Sequence, residues 1–353
     1  MRKTYIISIA FFLLISCADY DVVIRNGMIY DGTGEKPYSG DVAINNDKIV
    51  KVSKSINGKG KKEINASGLA VSPGFINMLS WATTSLIKDG RSLSDIKQGV
   101  TLEVFGEGWS MGPLNEKMKE QQQTEAEGFE IDWNSLGQYL ESLERRGVST
   151  NVASFLGATT LRIHEIGFAD RKPTDQEMNN MRELVRVAME EGAMGIGSSL
   201  IYAPAFYSST EELIEICKVA SEYGGMYISH MRSESNQFLE ALDELIQISE
   251  EANIPAEVYH LKAGGIPNHY KMDLAIEKIN NARDRGLNIT TDMYNYVAGA
   301  TGLDAHMPPW VQEGGYDKWV ERLKDPSIRV RVKEEMIKDT DDWENLGFLA
   351  GPD

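Results

Sequence analysis

The sequence is short of cysteine, histidine and proline, with Cys 2, His 5 and Pro 11 in 353 residues. Two cysteines exclude a disulfide-stapled scaffold. They stand in unlike settings: Cys17 where an N-terminal apolar run stops, and Cys217 inside the amphipathic "TEELIEICKVASEYG", where it reads as core. Positive charge is also scarce. Lys+Arg number 36 against 53 Asp+Glu, a formal net charge of −17, which repels phosphate backbones and argues against a nucleic-acid partner. The apolar run Tyr5 to Ile15 is too short for a comfortable membrane span. What remains is ordinary for a globular protein, 42% hydrophobic and 25% charged, in a chain long enough for a large barrel or two domains.

The first residues, "MRKTYIISIAFFLLISC", carry Arg2 and Lys3, then the apolar run, then Ser16 and Cys17. That is the form of an export signal: cationic, apolar, small. "LISC" looks like a bacterial lipobox, with Cys17 acylated as the mature N-terminus. Residues 1–17 are thus expected to be a lipoprotein signal peptide. The chain is expected in the bacterial cell envelope, touching the membrane only through a lipid on Cys17. An ordinary signal peptide or a short anchor with an incidental cysteine is the alternative.

Residues 18–72 alternate in the β manner. The runs "DVVIRNGMIY", "GDVAINN" and "KIVKVS" are broken by the turn signals "DGTG" and "NND", so a small β domain is expected there. From residue 73 to 353 the rhythm changes. Apolar strand-like runs ("GVTLEVFGEG", "STNVASFLGA", "GAMGIGSSL", "GGMYISHM", "PAEVYHLKAGG", "LNITTDMYNY") alternate with amphipathic helical segments, several of which end in Gly. Alternation of this kind means βα units around a parallel sheet. With "AVSPGFI" the strands number about seven, one short of a closed eight-stranded barrel.

In such a fold chemistry sits at the C-terminal ends of the strands. His230 ends "GGMYIS" and His260 ends "PAEVY", so two imidazoles on strands separated by one helix point into one mouth. Neutral imidazole is a common ligand of Zn²⁺, and a dication on two nitrogens wants an anionic third partner. Glu107 in "VFGEGW", flanked by glycines, is the candidate; Glu103 faces elsewhere by strand alternation or serves in its place, and a solvated loop glutamate is the plain alternative. Lys262, two residues past His260, suits a carboxylate-bearing substrate. Tyr202 ends the fourth strand and offers a hydroxyl to an oxyanion. Arg232 and Glu234 are expected to pair with each other or with solvent, though either is placed to line the mouth. His164 and His269 are expected in loops, and His306 has no evident role.

These residues carry a resemblance. "GAMGIGSSLIYAPAFYSSTEELIEICKVASEYGGMYISHMRSE", "HLKAGG", "ARDRGLNITTDMYNYVAGATGLDAHMPPW" and "QGVTLEVFGEG" resemble the N-acyl-D-amino-acid deacylase (D-aminoacylase) branch of the amidohydrolase superfamily. The resemblance implies an α/β fold: a TIM-like, metal-dependent (β/α)8 barrel with a small N-terminal β-sandwich. It implies hydrolysis of an N-acyl-D-amino acid, a small molecule, to a carboxylate and a free D-amino acid. His230 and His260 match the family's two histidines for its tightly held zinc, and Lys262 and Tyr202 match positions associated with the substrate carboxylate and the reacting carbonyl. The departures matter too. The family's His-x-His after "PGFID" is absent, with Met78–Ser80 in its place. The strand-two loop cysteine is Glu107 in "GEG", and Ala158 replaces a histidine. The general-base aspartate of the eighth strand is expected beyond Asp353, which makes the barrel C-terminally truncated. One zinc ion is therefore expected, held by His230, His260 and a strand-two carboxylate. Two rivals stand beside this reading: an amidohydrolase for another C–N bond, such as a cyclic amide or an isoaspartyl-type peptide, and a surface-anchored binding barrel without turnover.

Overall fold

The computed structural model describes residues 18–351 and divides into two compact units, Met1–Gly74 and Phe75–Asp353. The export signal and Cys17 lie outside the described residues. Among those residues no helix is long and apolar enough to cross a membrane.

The first unit is one five-stranded sheet. Strands β1 (Tyr20–Ile29), β2 (Tyr38–Asn45), β3 (Lys48–Ser53) and β4 (Gly60–Asn65) lie in the order β3-β2-β1-β4, and β5 (Ala70–Val71) pairs with β1. β1 runs antiparallel to β2 and parallel to β4. Its apolar cluster is small: Val23, Ala43 and Ile56, with Tyr20 against them. Ile49, Val50, Val52 and Ile64 are exposed. The sandwich expected for residues 18–72 is thus, among the described residues, a single sheet, because β3 and β4 carry apolar side chains that no second sheet covers.

The second unit is α/β with parallel sheets. Strands β6 (Phe75–Asn77), β7 (Val100–Phe105) and β8 (Asn151–Ser154) pair in that order. Strands β9 (Leu156–Gly157), β10 (Gly195–Ser199), β11 (Met226–His230), β12 (Ala256–Val258) and β13 (Ile289–Thr291) follow as a second parallel sheet. Only Phe155 separates β8 from β9, so the parallel strands occupy seven consecutive positions. "AVSPGFI" is not one strand: Ala70–Val71 joins β1 and Phe75–Asn77 joins β7. Pro73 has no N–H for a ladder, so pairing stops and restarts there.

Helices α1 (Leu136–Arg146), α2 (Ala158–Glu165), α3 (Asp175–Glu190), α4 (Thr210–Glu222), α5 (Phe238–Ala252) and α6 (Lys271–Asp284) return the chain between strands. Capping boxes start two of them: Ser135 with Gln138 at α1, and Thr174 with Glu177 at α3. Their apolar faces bury Leu143, Val185, Leu213, Leu242 and Ile279 in the main core, where Cys217 also sits, fully buried. Each such side chain contributes about 1.5–3 kcal/mol by leaving water. A second, smaller apolar cluster holds Val104, Phe155, Ile228 and Tyr259, with Met78 and Leu79 packed on it. The residues standing where the resemblance puts His-x-His are therefore largely spent on packing.

Candidate metal centre

Three strand ends deliver the centre. His230 is the last residue of β11, His260 stands two residues past β12, and Glu107 two residues past β7. All three are buried, and one ligand-capable atom from each lies within 4.8 Å of the others. Among the described residues this is the one group of three or more such side chains so close together. His230 Nδ1 is 2.9 Å from Glu107 Oε1, and His260 Nε2 is 3.5 Å from the same oxygen. The imidazoles meet edge to face, centroids 4.6 Å apart. His230 Nε2 is buried without a hydrogen-bond partner.

Local backbone chemistry fixes this arrangement. Gly106 and Gly108 bracket Glu107 with φ of +104° and +72°. A Cβ at Gly106 would lie 2.3 Å from the Phe155 carbonyl oxygen, and one at Gly108 2.2 Å from Ser199 Oγ. Only glycine allows both the dihedral and the approach. His260 itself has φ +37°, uncommon for a residue with a side chain, and its N–H donates to Asp292 Oδ1 at 2.7 Å. Asp292 follows β13, so the neighbouring strand holds the turn that presents the ring.

A fourth group belongs to the cluster. Glu234, four residues past His230, places Oε1 2.9 Å from His260 Nδ1 and 2.5 Å from Lys262 Nζ, and Oε2 3.7 Å from His230 Nε2. Of the two expectations for Glu234, a place lining the mouth holds and pairing with Arg232 or solvent is corrected: Arg232 binds Glu244 instead, at 2.8 Å. A carboxylate on one ring nitrogen leaves the other free to face a cation, and such partners are what orient metal-binding imidazoles.

The electrostatics agree. Burial would push the carboxyl of Glu107 up, but hydrogen bonds and charge from His230 and His260 hold it at about 2. Glu234 is likewise held at about 2, against burial, by His230, His260 and Lys262. Burial would lower His260; hydrogen bonds to Glu107 and Glu234 outweigh it and lift the ring to about 9. In the metal-free protein the two carboxylates thus hold a cation on His260. Two imidazoles and a carboxylate, buried and anionic, with one ring nitrogen unpartnered, form a donor set that fits a divalent ion such as zinc.

The other sequence candidates sort cleanly. Glu103 is fully buried and turned elsewhere: it accepts from Ser80 Oγ at 2.7 Å, Ser92 Oγ at 2.6 Å and Thr150 Oγ1 at 3.0 Å. Lys262 is at the centre, 2.9 Å from His260 Nδ1 and 5.7 Å from the Tyr294 ring centroid. The Tyr202 ring meets His230 edge to face at 5.4 Å, while its hydroxyl pairs with Thr301 at 2.7 Å and burial pushes it up to about 12. His164 is not in a loop but in α2, 2.7 Å from Glu165. His269 caps a short turn after Ile266–Asn268, and His306 ends another, Leu303–His306. Sequence reasoning missed Trp81, whose indole N–H donates to Glu107 Oε2 at 3.0 Å. Its one visible signal is a lone aromatic in the polar loop after β6.

No family model matches the chain. The D-aminoacylase of Alcaligenes xylosoxydans xylosoxydans is 32% identical over 286 residues, 80% of this chain and 59% of that protein. A crystal structure of D-aminoacylase, described as defining a novel subset of amidohydrolases, superposes with TM-score 0.70 at 31% identity, over 79% of this chain and 59% of that one. Another, concerned with the functional role of that enzyme's binuclear metal centre, one-metal activation and second-metal attenuation, gives TM-score 0.69 at 30% identity, over 79% and 59%. The chain spans about three fifths of the length of these relatives.

Proposed function

We propose, for a chain that is a homologue of the D-aminoacylases in the amidohydrolase superfamily, the hydrolysis of N-acyl-D-amino acids at a metal centre of Glu107, His230 and His260. One observation carries the reading: two strand-end imidazoles and a carboxylate converge within 4.8 Å, buried, where parallel α/β folds place their chemistry. The seven parallel strand positions are read as those of a TIM-like (β/α)8 barrel. The proton-accepting aspartate that the resemblance implies is proposed for an eighth strand beyond Asp353.

When bound, the ion, most simply a single zinc, supplies Lewis acidity toward the amide carbonyl and toward water. The chain's own residues hold and orient the ligands and the substrate. Glu234 holds His260 by Nδ1 so that Nε2 faces Glu107. Asp292 holds the backbone turn beneath that ring. Tyr202, held protonated by burial and with its ring against His230, offers a hydroxyl to donate toward a carbonyl oxygen gathering negative charge. Lys262 is the cation for the substrate carboxylate. Its bond to Glu234 favours a second reading, hydrolysis of another C–N bond, because a substrate carboxylate must compete with Glu234 for the ammonium.

Amine release from N-acetyl-D- and N-acetyl-L-amino acids, by a purified protein that includes the eighth strand, tests the assignment. A preference for the D series is expected, and equal rates on both would refute it. Export and acylation of Cys17 rest on the N-terminal sequence, and labelled fatty acid incorporated by the natural chain but not by Cys17→Ala supports them.

A further inference from the structure

The Glu107 carboxylate is divided between two kinds of partner. Oε1 faces the two imidazoles, 2.9 Å from His230 Nδ1 and 3.5 Å from His260 Nε2. Oε2 accepts the indole N–H of Trp81 at 3.0 Å. An indole nitrogen only donates and ligates no cation. That hydrogen bond holds one carboxylate oxygen, and with it the plane of the carboxylate, so that the other oxygen stays turned toward the imidazoles. The backbone of Glu107 is already pinned between Gly106 and Gly108, so rotation of its side chain is the main freedom left, and the Trp81 hydrogen bond removes it.

We infer that Trp81 is a positioning residue that keeps Glu107 Oε1 turned toward His230 and His260 and so raises the affinity of the centre for its ion. The inference rests on the metal-centre reading above, and its test separates the two. The protein, stripped by chelation, is titrated with Co²⁺ while bound metal and tryptophan fluorescence are followed, for the natural chain, Trp81→Phe, Glu107→Ala and the double variant. The natural chain should bind Co²⁺ with quenching of tryptophan fluorescence that Trp81→Phe lessens. Trp81→Phe keeps a ring on a half-exposed site and loses only the N–H, and Co²⁺ affinity should fall about 10- to 100-fold, the range for losing an outer partner of a ligand. In the Glu107→Ala background Trp81→Phe should change nothing further, a result that a merely structural role would not give. Unchanged Co²⁺ affinity in Trp81→Phe would overturn the inference alone. No binding by the natural chain would overturn the metal centre itself.

Discussion

His260 gives the metal centre a built-in proton competitor. In the metal-free protein Glu107 and Glu234 hold that ring at about 9, so at pH 7 it is a cation, and a cationic imidazole offers no lone pair. Metal must displace the proton, and the penalty is the ratio of protonated to neutral ring, about 10 raised to (9 − pH). That is about 100-fold at pH 7, or about 2.7 kcal/mol at 1.36 kcal/mol per unit. Glu107 and Glu234, held at about 2, are ionised throughout and add no slope. Apparent affinity should therefore rise about tenfold per pH unit from 7 toward 9 and level off above, with about one proton from His260 released per ion at pH 7. Calorimetric Co²⁺ titrations at pH 7, 8 and 9, repeated in buffers of different ionisation enthalpy, measure both. Glu234→Gln removes a charge that holds the proton, so the slope should soften. A flat affinity profile without proton release would refute the reasoning.

The metal-free stability linked to His260 is fully present below the ordinary histidine value near 6.5 and lost as pH rises through about 9, whereas that linked to Glu107 and Glu234 is present above about 4.5 and lost as pH falls toward about 2; denaturant titrations across pH read both edges. Lys262→Met should raise KM for an N-acyl-D-amino acid about 10- to 100-fold, the worth of one hydrogen bond to a charged group, and lower kcat far less. Gly106→Ala should lower metal affinity more than about tenfold in dialysis measurements, because its Cβ would meet the Phe155 carbonyl oxygen at 2.3 Å and push Glu107 away. Arg162→Met should destabilise the unit by about 3–5 kcal/mol in denaturant unfolding, because it strands Glu212, 2.7 Å away and buried, without its partner.

The strand–helix alternation was legible because βα units write their period directly: every run from "GVTLEVFGEG" to "LNITTDMYNY" contains a strand of the second unit. His230, His260 and Glu107 were legible for the same reason, since strand ends share one rim. Glu234 was not, because it lies in the loop after β11, where alternation ceases and the choice between Arg232 and the imidazoles depends on tertiary packing. Its spacing of four from His230 was a hint without a helix to give it meaning. Trp81 and Asp292 were invisible for another reason: each acts through a bond to a residue at least 26 positions away. In the first unit, strand signals located the strands but carried no information on whether a second sheet covers them.

The central claim is that His230 and His260 share one cation with Glu107. The most direct measurement is the zinc content of the purified protein beside that of the His230→Ala/His260→Ala double variant, both dialysed against the same zinc buffer. About one equivalent is expected in the former and none in the latter. Equal zinc in the two proteins would contradict it.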